Sequence, residues 1–127
     1  MKAAHNPLKI LIIDDEVEIS RLLTRFLERR GFKVESAENI REGKFLYLHE
    51  NYRYLILDIN LPDGNGMEML PFFKSVRPSC DIIMMSAMAN PQLQKQSRLL
   101  GALTMVGKPF STQNILRLIE NGPSDRS

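Results

Sequence analysis

The chain has 127 residues, enough for one domain whose core needs neither a metal nor a disulfide for stability. Its 17 Lys and Arg stand against 15 Asp and Glu for a net charge of +2, and the positive residues are scattered, so nucleic-acid binding is not implied; the single cysteine, Cys80, excludes an internal disulfide framework and fits a reducing compartment. No run approaches about eighteen consecutive apolar residues, and Met1 to Lys9 is too short and polar for a signal peptide, which predicts a soluble, cytoplasmic protein without membrane insertion.

Residues 1–7 read as a tail. Leu8 to Ile13 is a hydrophobic run broken only by Lys9 and ended by Asp14-Asp15-Glu16, a first strand that delivers carboxylates at its C-terminal end. From Val17 the period turns helical, with Ile19, Leu22, Leu23, Phe26 and Leu27 on one stripe and Gly31 as the stop after basic residues. Phe32 to Ala37 alternates and predicts a half-exposed edge strand. Asn39 to His49 predicts a weak helix carried by Ile40, Phe45, Leu46 and Leu48, with Gly43 inside it. Residues 54–57 then predict a strand buried on both faces, with Asp58 at its C-terminal edge. After a loop, Asn65 is positioned to cap a helix from Gly66 through Phe73, which Pro71 should kink unless a boundary falls nearby. Arg77 to Cys80 is a turn, and residues 81–85 form a fourth buried strand ending at Ser86, followed by a loop from Ala87 to Asn90. Pro91 to Leu100 predicts a helix with Leu93, Leu99 and Leu100 inward. Residues 103–106 are a fifth strand, followed by Gly107-Lys108-Pro109-Phe110, and Ser111 caps a last helix with Ile115, Leu116, Leu118 and Ile119 apolar.

Five strands and five helices in alternation predict an α/β fold, a doubly wound parallel sheet between two helical layers. The domain spans residues 8–121, and residues 122–127 are a tail or a truncated linker. Four of the five strands end in a functional polar group: Asp14 and Asp15, then Asp58, then Ser86, then Lys108 just past the fifth. Taken singly, each has a plain structural reading as a cap, a turn residue or a surface lysine. Their joint register at the carboxyl edge, where open α/β sheets bind ligands, points instead to one crevice. Three carboxylates crowded together repel unless a cation is present, and a hard divalent ion answers that need, Mg²⁺ best, with the lysine and hydroxyl placed to hold phosphoryl oxygens.

Ile-Ile-Asp14-Asp15-Glu16, Leu-Ile-Leu-Asp58-Ile-Asn-Leu-Pro-Asp-Gly-Asn-Gly66, Met-Met-Ser86-Ala87 and Gly107-Lys108-Pro109-Phe110 together resemble the receiver domain of two-component response regulators, over about Leu8 to Ile119. The resemblance implies a flavodoxin-like (CheY-like) sheet in the order 2-1-3-4-5, with Asp58 phosphorylated by a sensor histidine kinase or a histidine phosphotransfer protein. It implies Asp14, Asp15, Asp58 and the backbone carbonyl of Asn60 as the Mg²⁺ site, with Mn²⁺ as a substitute. Lys108 then pairs with the phosphoryl oxygens, Ser86 moves onto them after transfer, and Ala87 and Pro109 shape the site, Pro109 after a cis peptide bond. The output goes to a downstream protein or an attached output domain, and no turnover on a separate substrate is expected.

One departure from the family pattern is Met105, at the position where many receivers carry an aromatic switch residue; it lacks a ring and a hydroxyl. That leaves room for a second reading, a phosphorylation-independent protein-interaction module with the same fold. A third, a small Mg²⁺-dependent phosphatase, lacks a cap domain and a second acid after Asp58. Met84, Met85, Met88 and Met105 read as packing, Cys80 as structural, and His5 and His49 as without metal-ligand company. Arg25, Arg29 and Arg30 read as a solvated helix end, with donor docking as the alternative. No recognition helix or basic region predicts direct DNA binding.

Overall fold

The computed structural model describes residues 7–123. The expected tails fall largely outside the described residues, as does His5. Strands β1 (Lys9–Ile13), β2 (Lys33–Ala37), β3 (Tyr54–Asp58), β4 (Asp81–Ser86) and β5 (Thr104–Gly107) form one parallel sheet in the order 2-1-3-4-5, the predicted fold class. Helices α1 (Val17–Arg29), α2 (Ile40–His49), α3 (Leu70–Val76), α4 (Pro91–Leu99) and α5 (Thr112–Asn121) alternate with them.

Successive strand residues point to opposite faces, so each apolar run feeds two cores. Leu11, Ile13, Leu55, Leu57, Ile82 and Met84 bury against Tyr47 of α2 and Leu70 and Phe73 of α3. Ile10, Ile12, Ile56, Ile83 and Met85 bury against Leu23 and Leu27 of α1 and Ile115, Leu118 and Ile119 of α5. That two-sided burial is why the three central strands read as unbroken apolar sequence. It also leaves only the strand ends for polar side chains, Lys9 and Asp81 at the amino edge and Asp58 and Ser86 at the carboxyl edge.

The helices depart from the sequence reading in instructive places. Residues 66–69 form a separate 3₁₀ turn, capped by the Asn65 side chain, and α3 begins anew at Leu70. Pro71 therefore lies in the first turn of α3, where its missing N–H has no partner to lose, and it does not kink a longer helix. In α2 the inward residues are Ile40, Gly43 and Tyr47, while Phe45 is 60% exposed and Leu48 also faces solvent. The cause is Gly43, which lies so close to β1 that a Cβ there would stand 2.3 Å from Ile13 Cδ1. The helix turns on that contact, and the larger apolar side chains are carried outward. In α4 the buried residue is Ser97, and Leu93 is half-buried, whereas Leu99 is 77% exposed and Leu100 also reaches solvent. Leu22 of α1 is likewise exposed. The β2 and β5 strands begin one residue later than expected, at Lys33 and Thr104. Residues 60–61 and 64–65 pair as a two-residue antiparallel hairpin that periodicity does not reveal.

Candidate functional site

The site is assembled where β1, β3, β4 and β5 end. Asp14 follows β1 directly, and its N–H donates to Ala37 O at 3.0 Å, carrying the β1–β2 ladder one residue further. Its side chain is fully buried: Oδ1 accepts the Glu16 N–H at 2.9 Å and Oδ2 accepts Lys108 Nζ at 3.0 Å. Asp58 ends β3 almost as deeply, with Oδ1 accepting the Asn60 N–H at 3.3 Å and Oδ2 accepting Lys108 Nζ at 2.9 Å. Lys108 is positioned from β4, because its own N–H donates to Ser86 O at 2.9 Å, and its side chain then reaches back across the sheet edge. The Lys108–Pro109 peptide is cis, as the resemblance implies.

A glycine makes the floor of the crevice possible. Gly66 N–H donates to Ile59 O at 2.7 Å, which folds the hairpin back under Asp58, and a Cβ on Gly66 would lie 2.1 Å from the Asp58 carbonyl oxygen. No side chain fits there without moving backbone.

Ser86, buried at the end of β4, accepts the Met88 N–H at 2.9 Å through its Oγ. Ala87 and Met88 stand in the exposed loop beyond it, and Met105 is buried in the core shared with α2 and α3. Asp15 is exposed and lies outside the converging carboxylates. The structure also brings in Glu16, whose Oε1 lies 2.5 Å from Lys108 Nζ. Sequence reasoning assigned Glu16 only to the end of the first strand's run. The available signal was a third acid in a row directly before the first helical residue.

Electrostatics here are those of buried acids around one cation. Burial pushes the Asp14 carboxyl above its ordinary range, and the nearby Asp58 charge adds to that, against the pull of the Glu16 N–H and Lys108. Burial also works against the Lys108 ammonium, yet its bonds to Glu16, Asp58 and Asp14 outweigh this and raise it well above the ordinary lysine value. Carboxylate oxygens of Asp14, Glu16 and Asp58 all lie within 4.8 Å of one another. Such a set of hard oxygen donors, one of them held unfavourably as an anion, fits a divalent ion of the Mg²⁺ or Ca²⁺ type. Chemically, the arrangement offers a carboxylate nucleophile beside a fixed positive charge.

A family model described as the response regulator receiver domain matches residues 10–120. The chain is 30% identical over 117 residues to the acid tolerance regulatory protein ActR of Rhizobium meliloti (strain 1021), covering 92% of this chain and 60% of that protein. To the transcriptional regulatory protein CusR of Escherichia coli (strain K12) it is 32% identical over 109 residues, covering 86% of this chain and 48% of that protein. The chain thus spans only part of the length of these relatives. Among solved structures, a response regulator receiver domain protein (CheY-like) from Methanospirillum hungatei JF-1 matches with a TM-score of 0.85 at 30% identity, covering 91% of this chain and 92% of that one. A response regulator from Burkholderia pseudomallei, solved with a phosphorylated aspartic acid, a calcium ion and citrate, matches with a TM-score of 0.82 at 27% identity, over 87% of this chain and 65% of that one. Among the described residues, no helix is long and apolar enough to cross a membrane.

Proposed function

The chain belongs to the response regulator receiver domain family, and from that premise we propose that it is a phosphoacceptor switch in which Asp58 takes a phosphoryl group from a sensor histidine kinase or a histidine phosphotransfer protein. The observation that carries this is Lys108 Nζ at 2.9 Å from Asp58 Oδ2, with Asp14 and Glu16 held against the same ammonium.

The chemistry follows from these groups. An Asp58 carboxylate oxygen attacks phosphorus in line with the donor's P–N bond. As the new O–P bond forms, the P–N bond breaks, and its electron pair stays on the imidazole nitrogen, which takes a proton from solvent. Lys108 neutralises charge on the equatorial oxygens as it spreads in the transition state. Mg²⁺, or Mn²⁺ in its place, held by Asp14, Asp15, Asp58 and the Asn60 carbonyl, with Glu16 close by, would supply further charge neutralisation when bound. The calcium ion in the Burkholderia pseudomallei structure supports an ion of this class. The product is an acyl phosphate, which water later hydrolyses, so the domain modifies itself and turns over no separate substrate.

The phosphoryl group adds charge and acceptor oxygens at one point. Ser86 is drawn toward them through its O–H, a displacement that would carry its Oγ away from the Met88 N–H. The surface formed by α4, β5 and α5 carries the change to a downstream protein or an attached output domain, in the cytoplasm.

The test is intact-mass measurement after incubation with Mg²⁺ and acetyl phosphate, alongside Asp58→Asn. The expected result is a gain of one phosphoryl group that the variant does not show. An unchanged wild-type mass with a divalent ion bound would overturn the proposal.

A further inference from the structure

The Lys108 ammonium has three N–H donors, and all three are engaged, by Asp14, Glu16 and Asp58. An incoming phosphoryl oxygen finds no free donor on it. While Asp58 attacks, Lys108 has to face both the nucleophile and the phosphoryl group, so one of the other two carboxylates must let go. Asp14 is fully buried and tethered by the Glu16 N–H. The Glu16 side chain is 56% exposed and has no bond to the N–H groups that open α1, so it can swing into water.

Resting on the phosphoacceptor reading, the geometry points to Glu16 as a positioning residue, a releasable arm that holds Lys108 in the unphosphorylated domain and competes with phosphoryl oxygens for it. Glu16 thereby tunes how readily Asp58 is phosphorylated. It is neither the nucleophile nor a required metal ligand. The tether depends on reach as well as charge: Glu16→Asp keeps the charge but is one methylene too short, and Glu16→Gln keeps the length but loses the charge.

The experiment measures the affinity of beryllofluoride, an inert phosphoryl mimic, at saturating Mg²⁺ for the wild type, Glu16→Gln, Glu16→Asp and the exposed control Glu18→Gln. Mg²⁺ affinity and the acetyl phosphate reaction rate are measured for the same four proteins. Both Glu16 variants should bind beryllofluoride tighter by about two- to fivefold, the factor for losing a solvent-exposed ion pair, and react faster in proportion. The control should be unchanged in all three measurements. Equal beryllofluoride affinity in the wild type and both Glu16 variants overturns the inference, as does weakened Mg²⁺ binding with slower reaction, which makes Glu16 a metal ligand. A shift in Glu16→Gln alone also overturns the tether and leaves only a charge effect. A wild type that neither binds beryllofluoride nor takes a phosphoryl group overturns the phosphoacceptor reading itself.

Discussion

Lys108 Nζ and Asp58 Oδ2 stand 2.9 Å apart across a sequence separation of 50 residues, and Asp14 and Glu16 lean on the same ammonium. Lys108 is therefore the protein's own counter-ion for a carboxylate site. Lys108→Met keeps the aliphatic stem but leaves buried acids without a cation, a class of change that costs about 3 kcal/mol or more when one partner of a buried pair is removed. The variant is expected to melt below the wild type in chelator, and added Mg²⁺ should raise its melting temperature more than it raises that of the wild type. Equal melting temperatures in chelator would contradict the counter-ion role.

Gly66 places a second constraint on the site. A Cβ there would approach the Asp58 carbonyl oxygen to 2.1 Å, and both groups are backbone, so neither yields easily. Gly66→Ala should destabilise the domain by about 1–3 kcal/mol, the usual range for overpacking. The displaced 59–66 loop should also slow phosphorylation of Asp58 more than stability alone explains. Urea melts give the first quantity, and mass spectrometry under conditions where the variant is fully folded gives the second.

The pH dependence has a defined source outside the site. Asp63 Oδ1 accepts the Ile40 N–H at 2.8 Å and Oδ2 accepts the Arg41 N–H at 3.0 Å, capping α2 from the hairpin. These backbone bonds, Ile40 first, hold the Asp63 carboxyl below its ordinary value. A carboxyl depressed in the folded state contributes stability that is full above the unfolded value of about 3.9 and is lost as pH falls through the folded one. Asp63→Asn cannot accept both bonds. It should cost roughly 0.5–1 kcal/mol near neutral pH, the lower part of the range for a lost cap because Asp63 is exposed. That gap should narrow in urea melts as pH falls below the unfolded carboxyl value of about 3.9 and on through the lower folded one; a gap constant with pH would contradict the cap's ionisation.

The sheet and most of the site were legible because one physical cause produced both. Strands buried on two faces must be apolar throughout, so Asp14, Asp58 and Ser86 stand out as the polar residues that end them. Helix faces were harder to read. Helix α2 carries more apolar residues than one stripe can bury and α4 too few to mark a stripe, so tertiary contact made the choice: Gly43 against Ile13 turned Phe45 outward, and Ser97, not Leu99, met the core. The hairpin at 60–65 is too short to show a period. Pro71 was ambiguous because sequence alone does not say whether a proline interrupts one helix or opens the next. Glu16 escaped because its part depends on where a flexible side chain points, and its burial pattern is that of a surface acid.

Under the proposed phosphoacceptor function, Ser86 offers a way to follow the coupling step before and after phosphorylation. Its Oγ accepts the Met88 N–H at 2.9 Å while its own O–H stays available to donate, so a displacement that carries Oγ onto a phosphoryl oxygen adds a charge-assisted hydrogen bond and takes the acceptor away from that amide. In the wild type, phosphorylation or beryllofluoride should therefore speed hydrogen exchange at Met88, because the amide loses its acceptor in a loop that is already exposed. Ser86→Ala removes the acceptor from the start, at a stability cost of about 1 kcal/mol. Its Met88 amide should exchange fast in both states, with Asp58 still phosphorylated because the hydrogen bonds of the Asp58 carboxylate come from Lys108 and the Asn60 N–H and leave Ser86 to the Met88 N–H. Met88 exchange that is unchanged by phosphorylation in the wild type would mean that Ser86 stays where it is, and that the signal leaves Asp58 by another path.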